Sequence, residues 1–86
     1  FYMFYYVYVL KSVKDGSIYV GANHDLRARF LLHNKGRVHS TRSKMPWKIV
    51  YYEAFISKED AFSREASLKL HAQGLRRLKE RLQNSL

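Results

Sequence analysis

The chain has 86 residues, 47% of them hydrophobic, which is enough for one small core and excludes a second independent core. Its formal charge of +9 favours polyanionic partners, no apolar run approaches the ~20 residues that span a bilayer, and we expect one domain over residues 1–86 with no membrane partner. The absence of cysteine excludes disulfides and thiolate metal sites and, with no signal-peptide pattern, fits a cytoplasmic location.

The first predicted element is a β-hairpin near the start of the chain. Residues 4–10 are almost all aromatic or β-branched, a composition typical of strands. Lys14, Asp15 and Gly16 can form a turn, and residues 17–21 return to strand character. The two strands are therefore expected to pair in antiparallel directions.

Side chains of a strand alternate between its two faces, which groups the aromatic residues of this hairpin. Tyr6, Tyr8 and Leu10 share one face of the first strand, and Tyr19 and Gly21 share one face of the second. The pattern leaves open which of these faces meet. Strand tyrosines most often serve packing, and a binding-only hypothesis instead treats Tyr6, Tyr8 and Tyr19 as an exposed platform on which bases stack.

A helix is predicted next, because Asn23 or Asp25 can cap a segment that runs to about Asn34. Arg29 and His33 are four residues apart, so they lie on one face of this helix and can contact one ligand together. His33 can orient a phosphate or exchange a proton with water; alternatively, it caps or bridges the end of the helix. The histidines have neither the pairing nor the spacing of a zinc site. They are His24, His33, His39 and His71.

Every charged residue between Asp25 and Glu53 is basic, and this basic segment overlaps the predicted helix. Its members are Arg27, Arg29, Lys35, Arg37, Arg42, Lys44 and Lys48. Such a segment can follow a phosphate backbone and makes binding depend strongly on salt. We therefore expect nucleic acid as the partner; the alternatives are a solvated face and a membrane surface. Residues 35–46, which include the one proline, are interpreted as a mobile or partner-ordered loop.

Strand character returns at residues 47–55, and the run from Ile49 to Tyr52 leads us to expect this strand at the centre of the sheet. A capping-box-like sequence from Ser57 to Asp60 then begins a helix. After Gly74, a last helix repeats leucine at helical spacing and carries basic residues outward. Its leucines are Leu75, Leu78, Leu82 and Leu86. We interpret it as a docking helix; the alternative is a membrane-surface adaptor.

One carboxylate, Glu65, falls on the apolar stripe of the helix that begins near Ser57. Burying an ionised carboxylate without a partner is costly, so its position needs an explanation. In a structural interpretation it pairs with a nearby cation such as Arg29 or Arg64 and fastens two helices together. In a functional interpretation it holds a divalent cation whose other ligands are water and substrate phosphate, as suits Mg²⁺. A tyrosine phenol, with a reference pKa of ~10, is a poor base unless cations such as Arg29 and a metal favour its ionised form.

In the order and spacing of its motifs, the chain resembles the GIY-YIG nuclease domain. The resemblance is to the small stand-alone bacterial branch, related to the amino-terminal nuclease domain of the excision-repair nuclease. The matching motifs are Tyr6-Val7-Tyr8, Tyr19-Val20-Gly21, Asp25-Leu26-Arg27-Ala28-Arg29 with His33-Asn34, Pro46-Trp47-Lys48-Ile49-Val50-Tyr51 and Ala61-Phe62-Ser63-Arg64-Glu65. The resemblance implies an α+β fold in which a three-stranded antiparallel sheet is flanked by helices.

The resemblance also implies roles for individual residues. Glu65 would ligate one Mg²⁺ or Mn²⁺, and Arg29 would hold the scissile phosphate and stabilise its developing charge. Tyr8 would help to activate the attacking water, Tyr19 would position water or phosphate, and His33 would assist. The nucleic-acid-binding residues would be Arg27, Lys35, Arg37, Arg42, Lys44 and Lys48.

The implied activity is that of a metal-dependent endonuclease that hydrolyses phosphodiester bonds. DNA of particular structure is the favoured substrate over RNA. The resemblance also implies a role in DNA repair and a protein partner or fused domain for targeting. The alternative is a catalytically inactive nucleic-acid-binding module of the same fold. Four departures from the family pattern are present, one of which is Ala22-Asn23, where relatives often have a threonine or serine. The other three concern single residues. Tyr6 replaces the glycine of the first triplet, Ser40 precedes Thr41 where an aromatic is often found, and Asn84 cannot be aligned with the asparagine that many relatives use.

Overall fold

The computed structural model describes residues 3–86, so Phe1 and Tyr2, which the predicted domain includes, lie outside the described residues. The described chain folds into three strands and three α-helices. In chain order they are β1 (Tyr5–Ser12), β2 (Ile18–Asn23), α1 (Leu26–Asn34), β3 (Trp47–Phe55), α2 (Lys58–Leu70) and α3 (Ala72–Arg81). The strands form one antiparallel sheet in the order β2-β1-β3, and the predicted α+β class is confirmed.

The central strand of the sheet is β1, and the expectation that the third strand lies at the centre is wrong. β1 pairs with both neighbours, and its residues from Val7 to Leu10 are buried on both faces of the sheet. β3 is an edge strand in which Trp47 is buried and the other residues are partly buried or exposed. A bulge between Val9 and Leu10 of β1 places both Val50 and Tyr51 toward the same packed side.

The pairing register settles which faces of the hairpin meet. Tyr8 lies opposite Gly21, and Leu10 lies opposite Tyr19, so these residues share one face of the sheet, here called the tyrosine face. Tyr8 also lies opposite Tyr52 of β3, which places Tyr52 on the same face. The tyrosine face therefore collects aromatic residues from all three strands.

Helix α1 packs on the tyrosine face. Asp25 caps the helix, because its carboxylate accepts a hydrogen bond from the backbone N–H of Ala28 at 3.0 Å. Leu26 and Phe30 pack against the core cluster of this face, and Gly36 has a φ of 73° just beyond the helix. This packing fixes the direction in which α1 presents its other side chains to the sheet.

Helices α2 and α3 cover the opposite face of the sheet. Ser57 caps α2 by accepting a hydrogen bond from the backbone N–H of Asp60, as the capping-box-like sequence predicts. The last helix begins at Ala72, before Gly74, so its predicted start is too late. Its predicted leucine stripe packs against the core: Leu75, Leu78, Leu82 and Leu86. The docking-helix interpretation is thereby confirmed, and no helix in residues 3–86 is long and apolar enough to span a membrane.

The segment between α1 and β3 is anchored to the domain, contrary to the prediction of a mobile or partner-ordered loop. Asn34 donates to the backbone carbonyl of Trp47 at 2.8 Å and accepts from its backbone N–H at 2.6 Å. The indole N–H of Trp47 donates to the carbonyl of Thr41 at 2.9 Å. Val38 and Thr41 are buried, so apolar burial and hydrogen bonds together order residues 35–46.

Candidate active site

The centre of the candidate site is the phenol of Tyr8, on the central strand. Tyr8 is only 1% exposed, and burial raises its pKa to about 12, although the neighbouring Arg29 guanidinium opposes the shift. Its hydroxyl lies 3.0 Å from Nε2 of His33. At neutral pH Tyr8 is therefore a protonated phenol within hydrogen-bonding distance of an imidazole.

His33 links this phenol to the segment that follows α1. The imidazole is 0% exposed, and its Nδ1 lies 2.8 Å from the hydroxyl oxygen of Thr41. Thr41 donates its one hydroxyl proton to the carbonyl of Val38, so its oxygen accepts from Nδ1–H of His33. Nε2 then carries a lone pair and accepts from the Tyr8 hydroxyl, which assigns the tautomer from the hydrogen-bond network.

The electrostatic environment keeps His33 neutral. Burial is the larger cause and the positive charge of Arg29 the smaller one, and together they lower the pKa of His33 to about 4. Arg29 is half-buried and, four residues before His33 on α1, it faces the same sheet surface. The predicted face shared by Arg29 and His33 is therefore directed at Tyr8.

Gly21 allows the Tyr8 ring to lie against the backbone of β2. A Cβ atom added to Gly21 would overlap the hydroxyl end of the Tyr8 ring, which is held in place by burial and by His33. The neighbouring Tyr19 ring lies with its centroid 5.0 Å from that of His33, at an interplanar angle of 61°. The motif Tyr19-Val20-Gly21 thus contributes the Tyr19 ring to the site and, at Gly21, a position whose lack of a side chain leaves room for Tyr8.

Glu65 reaches the same region from α2. Its side chain is 20% exposed, and its negative charge is close enough to Tyr8 to contribute to the raised pKa of that phenol. Glu65 pairs with a nearby cation, as the structural interpretation expects, but that cation is Lys69, one turn later on α2 at 3.2 Å, so the pair lies within one helix and does not fasten two. Arg64 instead binds Glu53 of β3 at 2.9 Å.

The Lys69 ammonium lies between the carboxylate of Glu65 and the ring of Tyr19. Its Nζ is 5.4 Å from the centre of the Tyr19 ring while it pairs with Glu65. A chain of contacts links the predicted residues: Lys69 joins Glu65 to Tyr19, the Tyr19 ring lies against His33, and His33 contacts Tyr8, which Arg29 also neighbours. The five predicted site residues are brought together by the fold.

The donor set suits a hard cation held by few protein ligands. Within residues 3–86 no group of three or more His, Cys, Asp or Glu side chains is placed to hold a metal ion, so a closed protein cage of the zinc type is not formed there. Glu65 is one carboxylate at the margin of the site, and its contact with Lys69 shows that positive charge is accommodated beside it. Mg²⁺ is commonly held by one or two carboxylates, with water and substrate phosphate completing its shell.

The predicted nucleic-acid-binding residues are all exposed, but they do not all lie on one side of the sheet. They are Arg27, Lys35, Arg37, Arg42, Lys44 and Lys48. Lys44 lies 3.8 Å from Asp15, which offsets part of its charge. Lys48 pairs in register with Lys11, between positions that belong to the tyrosine face, so it points to the opposite face from Tyr8.

Three residues of the site are not identified by the sequence reasoning. Thr41 orients His33 from eight positions away in an irregular segment, where no periodic pattern connects the two. Lys69 follows Glu65 at the i,i+4 spacing of helical ion pairs, a signal that could have identified it. Tyr52, opposite Tyr8, could be found only once the pairing of β1 with β3 was known.

The chain is similar to one family of known proteins. A family model described as the GIY-YIG catalytic domain matches residues 4–79. A UPF0213 protein of Streptococcus pneumoniae serotype 4 is 46% identical over 65 residues, which cover 74% of this chain and 65% of that protein. A UPF0213 protein of Bacillus pumilus is 39% identical over 66 residues, covering 76% of this chain and 66% of that protein.

A solved structure is similar over most of the chain. The solution NMR structure of a UPF0213 protein from Bacillus halodurans has a TM-score of 0.55 and 38% sequence identity, and the match covers 95% of this chain and 84% of that one. The curated relatives extend further than the matched segment, which spans about two thirds of their length.

Proposed function

This chain belongs to the GIY-YIG family, and we propose that it is a cytoplasmic, divalent-metal-dependent endonuclease that hydrolyses phosphodiester bonds, with DNA of particular structure as the favoured substrate. The observation that carries the proposal is the hydrogen bond between the Tyr8 hydroxyl and His33 Nε2, beside Arg29 and Glu65. A buried phenol and a neutral imidazole in this contact form a proton-transfer pair rather than a packing contact alone.

The raised pKa of Tyr8 determines how the phenol can act. A phenol with a pKa of about 12 is protonated at neutral pH, so it can take a proton from water only while it gives up its own. Nε2 of His33 is the acceptor within reach, at 3.0 Å. Tyr8 therefore relays a proton from the attacking water to His33, and Thr41 holds the imidazole in the tautomer that can receive it.

Arg29 has two electrostatic roles in this proposal. Without substrate, its charge contributes to the low pKa of His33 and so opposes formation of an imidazolium. A phosphodiester beside Arg29 offsets that charge, so substrate binding favours proton transfer to His33. The same guanidinium stabilises the negative charge that develops on the phosphoryl oxygens. The relay would then work best when a phosphate is in place.

Glu65 is the proposed ligand for Mg²⁺ or Mn²⁺, which when bound supplies Lewis-acid stabilisation of the phosphoryl group. In the structure Lys69 occupies the neighbourhood of this carboxylate, at 3.2 Å. Lys69 can swing away because its side chain is 44% exposed and unbranched. Glu65 can therefore exchange one cationic partner for another without a backbone rearrangement.

The remaining basic residues are proposed to bind the nucleic-acid backbone. Arg27, Lys35, Arg37 and Arg42 are exposed along α1 and the segment after it, where they can follow phosphates leading to Arg29. Lys44 and Lys48 are expected to contribute less, because one contacts Asp15 and the other points to the opposite face. A domain of this size has few side chains that can recognise bases. We therefore propose that it finds its cleavage site through DNA structure and through a protein partner or fused domain.

The alternative function is a nucleic-acid-binding module without catalysis. The deep burial of Tyr8 favours it, because a neutral phenol in a packed site can serve stability alone. The two functions predict different behaviour of a Glu65→Gln variant. If the protein is a nuclease, removal of the Glu65 charge abolishes cleavage. If it is a binding module, there is no cleavage to lose and binding is unchanged.

Cleavage and binding of branched, nicked and single-stranded DNA and of RNA test the proposal, with Mg²⁺, Mn²⁺ or EDTA. We expect Glu65→Gln to lose cleavage and keep binding, whereas the matched control Glu80→Gln, an exposed glutamate on α3, should behave like the wild type. Arg29→Ala should reduce cleavage far more than affinity, and Arg42→Ala should mainly weaken binding and its salt dependence. Equal cleavage by Glu65→Gln, or in EDTA, would reject the metal role.

A further inference from the structure

A hollow opens on the tyrosine face immediately beside the candidate site. Its volume is about 480 Å³, within the usual range for small-ligand sites. Tyr6 of β1 and Ile49 and Tyr52 of β3 line one side, and Phe30 of α1 lines the other. Arg27 also lines the hollow, together with His24, Asp25 and Leu26. The hollow is therefore mainly aromatic and apolar, with a cation beside it.

The aromatic rings of this hollow are available for a ligand. Tyr52 is 55% exposed, an unusual exposure for so large a ring. The Tyr6 and Tyr52 rings meet edge to face, with centroids 5.9 Å apart and an interplanar angle of 63°. Since they do not stack on each other, a planar group can lie against the Tyr52 ring. This arrangement suits a flat aromatic ligand better than an aliphatic one.

The position of the hollow connects it to the reacting centre. Tyr52 lies directly opposite Tyr8 in the pairing of β1 with β3, and Tyr6 is two residues from Tyr8 on the same face, ~7 Å along the strand. On α1, Arg27 and Arg29 are two residues apart and so point in different directions, and the link to the reacting centre is made by Tyr6 and Tyr52. A strand whose phosphate contacts Arg29 would therefore bring an adjacent nucleotide over the hollow.

The charge around the hollow also favours a nucleotide. The charged residues of α1 and of the segment after it, from Arg27 to Arg42, are all basic, which favours the approach of a polyanion. Asp25 also lines the hollow, but its carboxylate is engaged as the cap of α1. Exposed aromatic side chains with an arginine nearby are an arrangement by which proteins hold unpaired bases.

We propose that this hollow binds one unpaired nucleobase of the substrate strand, next to the scissile phosphate, by stacking on Tyr52. The proposal rests on the nuclease function proposed above and narrows its substrate class. A base within a duplex is already stacked and paired, so only an unpaired or displaced nucleotide can enter. The preferred substrates are then nucleic acids with a flap, a gap or a single-stranded end beside the cleaved bond.

The test measures stacking without requiring cleavage. A flap DNA carries 2-aminopurine at successive unpaired positions next to the branch, and its fluorescence is followed on binding in EDTA. We expect the wild type to quench the probe at one position, and Tyr52→Ala to lose the quenching and to bind the flap about tenfold more weakly, with blunt-duplex binding unchanged. Tyr52→Trp should keep the quenching.

Phe62→Ala is the matched control, since Phe62 is an aromatic residue 42% exposed on α2, away from the hollow. It should behave like the wild type. Equal loss in Phe62→Ala, or flap and duplex binding that fall together in Tyr52→Ala, would overturn the proposal. Tyr52-dependent quenching without any cleavage in Mg²⁺ or Mn²⁺ would refute the nuclease function and support the base site. Equal cleavage by the wild type and Tyr52→Ala would support the nuclease function and overturn the base site.

Discussion

At the scale of single residues, the site is a set of contacts around one buried phenol. Tyr8 touches His33, lies against Gly21, and is influenced by the charges of Arg29 and Glu65. Each contact restricts the phenol in a different way, so its orientation is determined by several residues at once. A change in any one of them should therefore affect chemistry more than affinity.

Thr41 offers the sharpest test of how this orientation is maintained. Replacement of Thr41 by Val keeps the shape but removes the acceptor for Nδ1–H of His33. Because that buried donor is left unpaired, the free energy of unfolding should fall by about 1–3 kcal/mol, and cleavage should fall with it. Nitrogen NMR shifts of the His33 ring should show loss of the single Nδ1–H tautomer.

Thr41→Ser is the control for this prediction, because it retains the hydroxyl. Its His33 spectrum should match that of the wild type, even if the lost methyl group costs some stability. An unchanged tautomer in Thr41→Val would show that the contact with Thr41 does not orient the imidazole.

At the scale of elements, helix α1 decides whether the site is assembled. It carries both Arg29 and His33, and Leu26 and Phe30 hold it on the tyrosine face. Its nine residues are too few to be stable in isolation, so its cap and its packing matter more than its propensity. Sequence patterns were sufficient to predict this element, because capping and i,i+4 spacing act within one or two turns.

Removal of the α1 cap should loosen this part of the site. Asp25→Ala deletes the acceptor for the Ala28 N–H, and we expect a loss of about 1 kcal/mol, which for a domain of this size lowers Tm by about 4–8 °C. Asp25→Asn retains an efficient capping side chain and should melt close to the wild type. Thermal unfolding followed by circular dichroism measures both, and equal melting of the Ala and Asn variants would contradict the capping role.

At the scale of the whole molecule, burial of His33 links stability to pH. The pKa of His33 is lowered from 6.5 to about 4, so between these values the folded state binds fewer protons than the unfolded state. Stability should therefore be highest above pH 6.5 and should be lost as the pH falls toward 4. The loss should be on the order of 3 kcal/mol by pH 4, which is the free energy that corresponds to this shift.

Urea unfolding at pH 7 and pH 5 measures this effect. The difference between the two pH values should shrink in His33→Gln, which cannot take up the proton. Asp15 is a separate case, because its hydrogen bonds with Ser17 lower its pKa to about 2, and it titrates below the window assigned to His33. Equal pH dependence in the wild type and in His33→Gln would place the titrating group elsewhere.

Local patterns in the sequence determined the elements and the assignment of residues to faces. Alternation with period two grouped Tyr6 with Tyr8 and Tyr19 with Gly21, and the i,i+4 spacing placed Arg29 and His33 on one helical face, whereas the site roles were implied by the family resemblance. Such patterns act over a few residues, because backbone sterics and hydrogen bonding within one turn or one strand produce them. For that reason they could be seen without the fold.

Only the tertiary structure decided the features that join distant parts of the chain. The order β2-β1-β3, the pairing of Glu65 with Lys69 rather than an arginine, and the support of His33 by Thr41 all depend on packing. The tertiary structure also decides the direction in which the pKa of Tyr8 shifts. Burial raises this pKa more than the Arg29 guanidinium lowers it, and burial exists only once the core has formed around the ring. Long-range contacts and desolvation are properties of the assembled molecule, and no local pattern encodes them.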